Sequence, residues 1–272
     1  MNNAASDAVF AGSMPELYDS CLVPLIFSPY ANDLAIRVTT LKPSRVLETA
    51  AGTGVVTRAM ASALPANVDL VATDLNQPML DRAVAVGTRR PVRWQQADAT
   101  QLPFEDASFD IVVCQFGVMF FPDKVRAFSE ARRVLRRGGV FIFNAWDRIE
   151  ENEFAHVITT SLGVLFPADP PLFLARTPYG YFDRKAIADD LAKAGFSAVP
   201  RFETITERSR ASSARVPAIA YCQGTPLRNE IEARSAGSLS EATSVSADAI
   251  ARRFGDGSVD AKIQAHVVMV ET

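Results

Sequence analysis

One segment determines the architecture of this chain: Val46-Leu47-Glu48-Thr49-Ala50-Ala51-Gly52-Thr53-Gly54-Val55-Val56-Thr57. Its first residues are apolar and suit a short strand, and its last residues suit the start of a helix. The small residues between them predict a tight turn. Because small side chains let an extended ligand lie against bare backbone, we expect a ligand site where this strand ends.

A second apolar run, Val68-Asp69-Leu70-Val71-Ala72-Thr73-Asp74, ends in a carboxylate. Asp74 follows Gly54 by twenty residues (74 − 54). At this spacing a carboxylate at a strand end binds the two hydroxyls of a ribose. The two strands together predict a cofactor that carries a nucleoside.

Strand and helix patterns alternate through the first half of the chain, which is typical of parallel strands covered by helices. The pattern predicts strands at 45–50, 68–74, 92–97, 109–115 and 140–146, with helices at 54–63, 77–86 and 123–136. Two short helices are expected within 14–42, interrupted by Pro24 and Pro29. Beyond 148 we expect helices at 154–166, 183–195 and 213–234, a strand at 196–208, a Ser-rich connection and a last strand at 262–270.

Composition indicates an ordinary globular protein and disfavours nucleic acid as a partner. The 272 residues suffice for one α/β domain with a small cap, and 48% hydrophobic with 22% charged residues is ordinary for a soluble globular protein. The formal net charge of −3 indicates no general attraction to phosphate backbones, so nucleic acid is not expected as a partner.

The cysteines and the apolar runs point to a reducing, aqueous compartment. Cys21, Cys114 and Cys222 are odd in number and far apart, which argues against a disulfide framework and a zinc site, and we expect no metal. The N-terminus lacks a leader-like pattern, and the longest apolar run, around 111–121, is too short to span a bilayer. A cytoplasmic location and no integral membrane segment are predicted.

From about residue 43 to 148 the chain resembles the class I, seven-strand S-adenosylmethionine-dependent methyltransferases. Within them it looks most like the branch of the ubiquinone/menaquinone-biosynthesis methyltransferases. Four blocks carry the resemblance: the turn from Glu48 to Gly54, Asp74-Leu75, Gln96-Ala97-Asp98-Ala99 with Leu102-Pro103-Phe104, and Arg133-Val134-Leu135-Arg136-Arg137-Gly138-Gly139. One position departs from the family, because Ala50 stands where its first glycine is usual. Alanine tolerates close approach almost as well, so we expect altered affinity and not loss of the cofactor.

The resemblance implies S-adenosylmethionine as cofactor, with S-adenosylhomocysteine as product. It also implies a role for each matching position. Asp74 would bind the ribose hydroxyls, Leu75 would cover one face of the adenine, and Asp98 with the Ala99 amide would bind the edge of the adenine. The complete set of cofactor-binding residues is Glu48, Ala50, Gly52, Gly54, Asp74, Leu75, Asp98, Ala99 and Gln115.

Methyl transfer is an in-line displacement at an activated carbon, so the protein chiefly holds the two reactants in line and excludes water. No catalytic residue is assigned, and His156 is the candidate if a general base is used. For the acceptor site the candidates are Tyr18, Phe116, Trp146 and Tyr181. For any one of these aromatic residues, plain core packing is the simpler explanation.

Three other readings stay open or are disfavoured. An NAD(P)-dependent oxidoreductase also uses a Gly-rich turn and a later acid, but its pattern needs glycine or alanine at 57, where Thr57 stands. A base methyltransferase would need Asp/Asn-Pro-Pro-aromatic after the fourth strand, where this chain has Cys114-Gln115-Phe116. A non-catalytic module that binds the cofactor is the main alternative, since the cofactor pocket alone does not distinguish binding from turnover.

We therefore predict a doubly wound α/β fold with a seven-stranded, mostly parallel, Rossmann-like sheet, N-terminal helices and helical insertions that form a cap. One domain, 1–272, would comprise a lid at 14–42, a cofactor-binding core at 43–148 and cap insertions with the last strands at 149–272. The predicted activity is methyl transfer to carbon or oxygen of a small, partly apolar or aromatic molecule. The expected oligomeric state is a monomer or a homodimer, and the sequence does not choose between them.

Overall fold

The computed structural model describes Asp7, Gly12 and residues 14–234 and 238–272. Its backbone divides into two compact units. Unit 1 comprises the described residues of Met1–Phe27, Trp146–Gly180 and Thr206–Gln264, and unit 2 comprises Ser28–Ala145, Tyr181–Ile205 and Ala265–Thr272. The lid segment 14–42 thus contributes to both units, and its action as a lid stays a prediction.

The described residues form a seven-stranded sheet in the order β3-β2-β1-β4-β5-β7-β6. Strands β1 to β5 pair in parallel, and β7 runs opposite to β5, since the Thr272 amide donates to Gly139 O and the Asp147 amide to Gln264 O, both at 3.0 Å. The predicted doubly wound α/β fold is confirmed. The strands are β1 Arg45–Glu48, β2 Asp69–Asp74, β3 Arg93–Gln96, β4 Phe109–Gln115, β5 Leu135–Trp146, β6 Arg201–Ala211 and β7 Val259–Glu271.

Helices follow most of the predicted positions. In chain order they are α1 Met14–Leu17, α2 Ser28–Thr40, α3 Val55–Ala63, α4 Gln77–Val86, α5 Lys124–Val134, α6 Glu153–Leu165, α7 Phe173–Arg176, α8 Arg184–Lys193, α9 Arg215–Gln223, α10 Leu227–Arg234 and α11 Ser238–Phe254. A π-helical stretch, Tyr18–Phe27, joins α1 to α2, and short 3₁₀ turns lie at Val118–Phe120 and Ile149–Glu151. No helix among the described ranges is long and apolar enough to cross a membrane.

Neither proline near the N-terminus ends a helix there. Pro24 lies inside the π-helical stretch, and Pro29 is the second residue of α2. The prediction of two separate short helices was therefore wrong in its boundaries, since the helical conformation continues from Met14 to Thr40.

Helix α5 ends earlier than its sequence pattern predicts. Its last residue is Val134, and Leu135 already pairs with Phe109 of β4. Leu135 is buried in the sheet. Removal of its apolar side chain from water favours the strand at this position over a further turn of helix. The Arg136-Arg137 pair consequently belongs to β5 and not to a helix end.

One apolar core cluster of unit 2 lies between the sheet and helices α2 and α3. Adjacent strands contribute matched pairs to one face of the sheet, with Ile111 beside Val140 and Val113 beside Ile142. Leu34 of α2 and Met60 of α3 belong to the same cluster. This packing holds the carboxyl ends of β1, β2, β4 and β5 together, where parallel α/β sheets place their ligand sites.

Candidate functional site

The turn after β1 has an unusual backbone. Ala50, Gly52 and Gly54 have φ values of 52°, 56° and 83°, in the left-handed region. The Thr49 amide donates to Val113 O and the Ala51 amide donates to Thr73 O, both at 2.9 Å. The turn is therefore fastened to β4 on one side and to β2 on the other.

The two glycines of this turn serve different needs. A β-carbon on Gly54 would lie 2.7 Å from Cη2 of Trp94, so this position is closed to any side chain by the packing of β3. A β-carbon on Gly52 would meet only Cε of Met79, at an ordinary 3.5 Å. Gly52 is therefore required mainly by its left-handed backbone.

Glu48 orients the turn from the end of β1. Its carboxyl is buried and accepts a 2.5 Å hydrogen bond from the Thr57 hydroxyl of α3. Burial raises the pKa of Glu48 to about 8, and the hydrogen bond from Thr57 and the charge of Arg58 offset this rise only in part. Glu48 therefore ties β1 to α3 from within the core.

Asp74 joins the end of β2 to the turn. Its Oδ2 accepts from the Gly52 amide at 2.8 Å, and its Oδ1 accepts from the Asn76 amide at 2.8 Å. Burial raises the pKa of Asp74, while these backbone hydrogen bonds act in the opposite direction. The Asn76 side-chain amide also donates to Oδ1, at 3.5 Å, so both carboxylate oxygens of Asp74 are fixed by the adjoining turn and loop.

Leu75, Asp98 and Ala99 lie along the same edge of the sheet. Leu75 is 51% exposed, which is unusual for a large apolar side chain next to a buried strand end. The Ala97 amide donates to Asp74 O at 3.0 Å and so brings the loop after β3 to β2. Asp98 is exposed, and its Oδ1 accepts from the amide and hydroxyl of Thr100, both at 2.8 Å. Its local role is a turn, and ligand binding by Asp98 stays a prediction.

The end of β4 approaches the turn closely. A β-carbon on Gly117 would lie 2.5 Å from Cβ of Ala50 and 2.7 Å from Sγ of Cys114. Phe116 has a left-handed backbone, with φ of 51°, and meets Tyr30 edge to face at a ring distance of 5.3 Å. Burial raises the pKa of the Cys114 thiol to about 12, so this cysteine is an inert neighbour of the site.

The structure thus gathers all the predicted cofactor residues at one edge of unit 2. Tyr181 belongs to the same unit, but its hydroxyl donates to Asp190 Oδ2 at 2.9 Å and its ring faces Lys124 Nζ at 4.9 Å. Among the described residues no group of three His, Cys, Asp or Glu side chains is placed to hold a metal ion.

Three other candidates belong to unit 1. Tyr18 stacks on Phe27 at 5.1 Å, Phe27 lies 6.0 Å from Trp146, and Trp146 lies 5.8 Å from Tyr179. These side chains form an aromatic cluster within that unit. His156 is half-buried on α6. The roles of Tyr18, Trp146 and His156 toward an acceptor stay predictions.

Sequence reasoning missed Asn144. This residue is fully buried in β5, and neither Oδ1 nor Nδ2 has a hydrogen-bond partner among the described residues. A buried polar group without a partner costs about 1–3 kcal/mol, so it calls for an explanation. Its signal in the sequence was a single amide within the otherwise apolar run 140–146.

Comparison with known proteins identifies the segment that contains the turn. A family model described as a methyltransferase domain matches residues 47–143. These residues carry a methyltransferase domain. The resemblance of the sequence to class I methyltransferases is confirmed over this segment, which contains every predicted cofactor-binding residue.

Two relatives carry names from the branch of ubiquinone/menaquinone-biosynthesis methyltransferases. The ubiquinone/menaquinone biosynthesis C-methyltransferase of Ectopseudomonas mendocina is 31% identical over 169 residues, which cover 57% of this chain and 66% of that protein. The demethylmenaquinone methyltransferase of Clavibacter sepedonicus is 32% identical over 66% of each chain. This chain thus spans slightly less than two thirds of the length of these relatives.

Among solved structures, a methyltransferase-like protein of Bacillus halodurans is similar to this chain. The superposition covers 97% of that protein and 88% of this chain. Its TM-score is 0.55 at 20% identity. This likeness shows the fold, in agreement with the strand order of the sheet.

Proposed function

We propose that this chain transfers the methyl group of S-adenosylmethionine to a carbon or oxygen of a small, partly apolar or aromatic molecule. One observation carries the proposal. Asp74 is buried at the end of β2 and hydrogen-bonded to the Gly52 amide of a left-handed turn, while exposed Leu75 follows it directly. A carboxylate for a ribose, a bare turn for an extended chain and an apolar side chain for a purine suit an adenosyl ligand.

The residues present fit this cofactor. Asp74 presents a carboxylate at the end of β2 whose oxygens are held by the Gly52 and Asn76 amides, a fixed acceptor for ribose hydroxyls. Buried Thr53 Oγ1 in the turn and Gln115 Oε1 at the end of β4 have no hydrogen-bond partner among the described residues, and both are available to the methionyl part of the ligand. A pyrophosphate cofactor is less suited, because its binding pattern is broken at Thr57, whose hydroxyl is already bonded to Glu48.

When bound, S-adenosylmethionine supplies a methyl group on a positively charged sulfur. The task of this chain is to hold that group in line with the acceptor atom and to keep water out. Phe116, with its left-handed backbone beside the turn, is proposed to contact the acceptor. The acceptor atom gains the methyl group and loses a proton, and His156 remains the candidate base. We also propose a cytoplasmic location and a monomeric or homodimeric state.

The experiment compares two carboxylates of the same strand. Asp74→Ala should weaken binding of S-adenosylmethionine by about 2 kcal/mol, roughly 30-fold, because charge-assisted hydrogen bonds to the ribose are lost. Asp69, at the other end of β2, is exposed and paired with Arg45, so Asp69→Ala is the matched control and should bind normally. Calorimetry measures both affinities. Unchanged affinity in Asp74→Ala, or an equal loss in both variants, would contradict the proposed site.

Turnover is tested separately from binding. Wild-type protein with methyl-labelled S-adenosylmethionine and a fractionated metabolite extract should transfer label to a small molecule in an acceptor-dependent manner. Binding without any transfer across the extract would favour a non-catalytic module.

A further inference from the structure

Gln115 and Asn144 form a pair of carboxamides at the carboxyl ends of β4 and β5. The two residues are direct partners in the parallel register. The two preceding pairs on this face, Ile111 with Val140 and Val113 with Ile142, are entirely apolar. Side chains of paired positions in neighbouring strands point to the same face, so the ladder changes from apolar to polar at its last step.

This pair is buried and incompletely bonded. Asn144 is 0% exposed and Gln115 is 9% exposed. Both amide atoms of Asn144 and the Oε1 of Gln115 lack a hydrogen-bond partner among the described residues. Leucine has the same number of side-chain heavy atoms as asparagine and would fill position 144 without an unpaired polar group. Core packing therefore gives no reason for the amide.

The position of Asn144 relates it to the proposed cofactor site. By the alternation of strand residues, Glu48, Asp74, Gln115 and Asn144 all lie on the face that carries the core cluster. The cofactor positions use the ends of β1, β2 and β4, whereas Asn144 lies on the next strand, β5. Neighbouring strands are about 4.8 Å apart, so Asn144 lies roughly 10 Å from β1. It is thus displaced from the glycine turn in the direction opposite to β2 and β3, whose ends carry the residues proposed to bind the adenosine.

We infer that Asn144, beside the proposed cofactor residue Gln115, binds the polar atom of the methyl acceptor, and that this atom is an uncharged hydroxyl or carbonyl oxygen. The inference rests on the proposed function and adds a positioning residue to it. A carboxamide offers both a donor and an acceptor, which match a hydroxyl that accepts one hydrogen bond and donates another. An ionised group is disfavoured in a buried place whose only new partners are neutral amides.

The aromatic neighbours suggest the probe. Phe116 follows Gln115 directly and packs edge to face on Tyr30, so a flat ring with one hydroxyl suits this end of the site. 1-Naphthol carries such a hydroxyl, and naphthalene lacks it. Calorimetric titration of both compounds into protein saturated with S-adenosylhomocysteine measures how strongly the site recognises the oxygen.

The wild type should bind 1-naphthol at least about fivefold more tightly than naphthalene, as one hydrogen bond to a buried partner predicts. Asn144→Leu should reduce this ratio to about one, while the midpoint of thermal unfolding stays equal or rises. Affinity for S-adenosylhomocysteine should change less than about twofold, since Asn144 lies outside the cofactor positions. Thr159→Val is the matched control, because Thr159 Oγ1 on α6 is also buried without a described partner, and it should keep the full ratio.

A ratio of one in the wild type, absence of 1-naphthol binding, or an unchanged ratio in Asn144→Leu would overturn the inference while S-adenosylhomocysteine still binds. A wild type that does not bind S-adenosylhomocysteine would overturn the proposed function together with the inference. The two failures are therefore distinguishable.

Discussion

Ala50 occupies a backbone conformation that favours glycine, with φ of 52°, at the position where the resembling family has its first glycine. The left-handed conformation costs an alanine about 1–2 kcal/mol, and glycine loses about 0.4–1 kcal/mol more on folding than alanine. Ala50→Gly should therefore raise the free energy of unfolding by about 0.5 kcal/mol. Gly52→Ala, at φ of 56° with only an ordinary contact to Met79, should lower it by a similar amount, about 0.5 kcal/mol. Denaturant unfolding of both variants checks the opposite signs, and equal signs would contradict this account of the turn.

Glu48 makes stability depend on pH. Its pKa is about 8 in the folded chain and has its ordinary value of 4.5 when unfolded, so the folded state binds the proton more tightly. The contribution is fully present below pH 4.5 and is lost as the pH rises through about 8. The free energy of unfolding should fall over this window with a slope of at most ~1.4 kcal/mol per pH unit.

Glu48→Gln should remove this slope, because the amide oxygen can still accept the bond from Thr57 but no longer titrates. Unfolding by denaturant at pH 5, 6.5 and 8 compares the variant with the wild type. The charge of Asp74 also raises the pKa of Glu48, so the difference between the two profiles measures the titration of Glu48 together with its coupling to Asp74. Parallel pH profiles would show that Glu48 titrates normally.

At the scale of the element, α11 is the largest departure from expectation. The sequence predicts a Ser-rich connection where the chain forms a helix from Ser238 to Phe254. Serine and threonine compete with the backbone for hydrogen bonds and so lower helix propensity. Here Thr243 donates to Leu239 O within the helix, and the buried hydroxyl of Ser246 contacts Cys222 of α9. Packing of the buried face therefore outweighs the weak propensity.

Ile250→Ala tests this packing. Ile250 is fully buried on α11, and its truncation should lower the free energy of unfolding by about 2–4 kcal/mol, because apolar contact is lost and a cavity remains. Ser244→Ala is the control on the exposed face and should change stability by less than about 0.5 kcal/mol. A small effect of Ile250→Ala in thermal or denaturant unfolding would show that α11 contributes little to the folded state.

At the scale of the whole molecule, the predicted roles divide unevenly between the two units. Every predicted cofactor-binding residue belongs to unit 2, whose segment 47–143 matches the methyltransferase domain family. The candidates Tyr18, Trp146 and His156 belong to unit 1, outside the matched segment. The proposed cofactor site thus lies within the matched segment. Of the other candidates for the acceptor, Tyr181 also lies outside that segment, and Phe116 lies inside it.

The local order of residues was sufficient to predict the turn, the acids at 48 and 74 and the alternating strands. These features depend on neighbours along the chain, and the carboxyl ends of parallel strands necessarily meet at one edge. Only the tertiary structure decided that Asn144 lies beside Gln115, although 29 positions (144 − 115) separate them in sequence. The burial that raises the pKa of Glu48 and the helical state of 238–254 were decided in the same way. Strand order, burial and helix packing all arise from contacts between distant segments, and no local pattern specifies them.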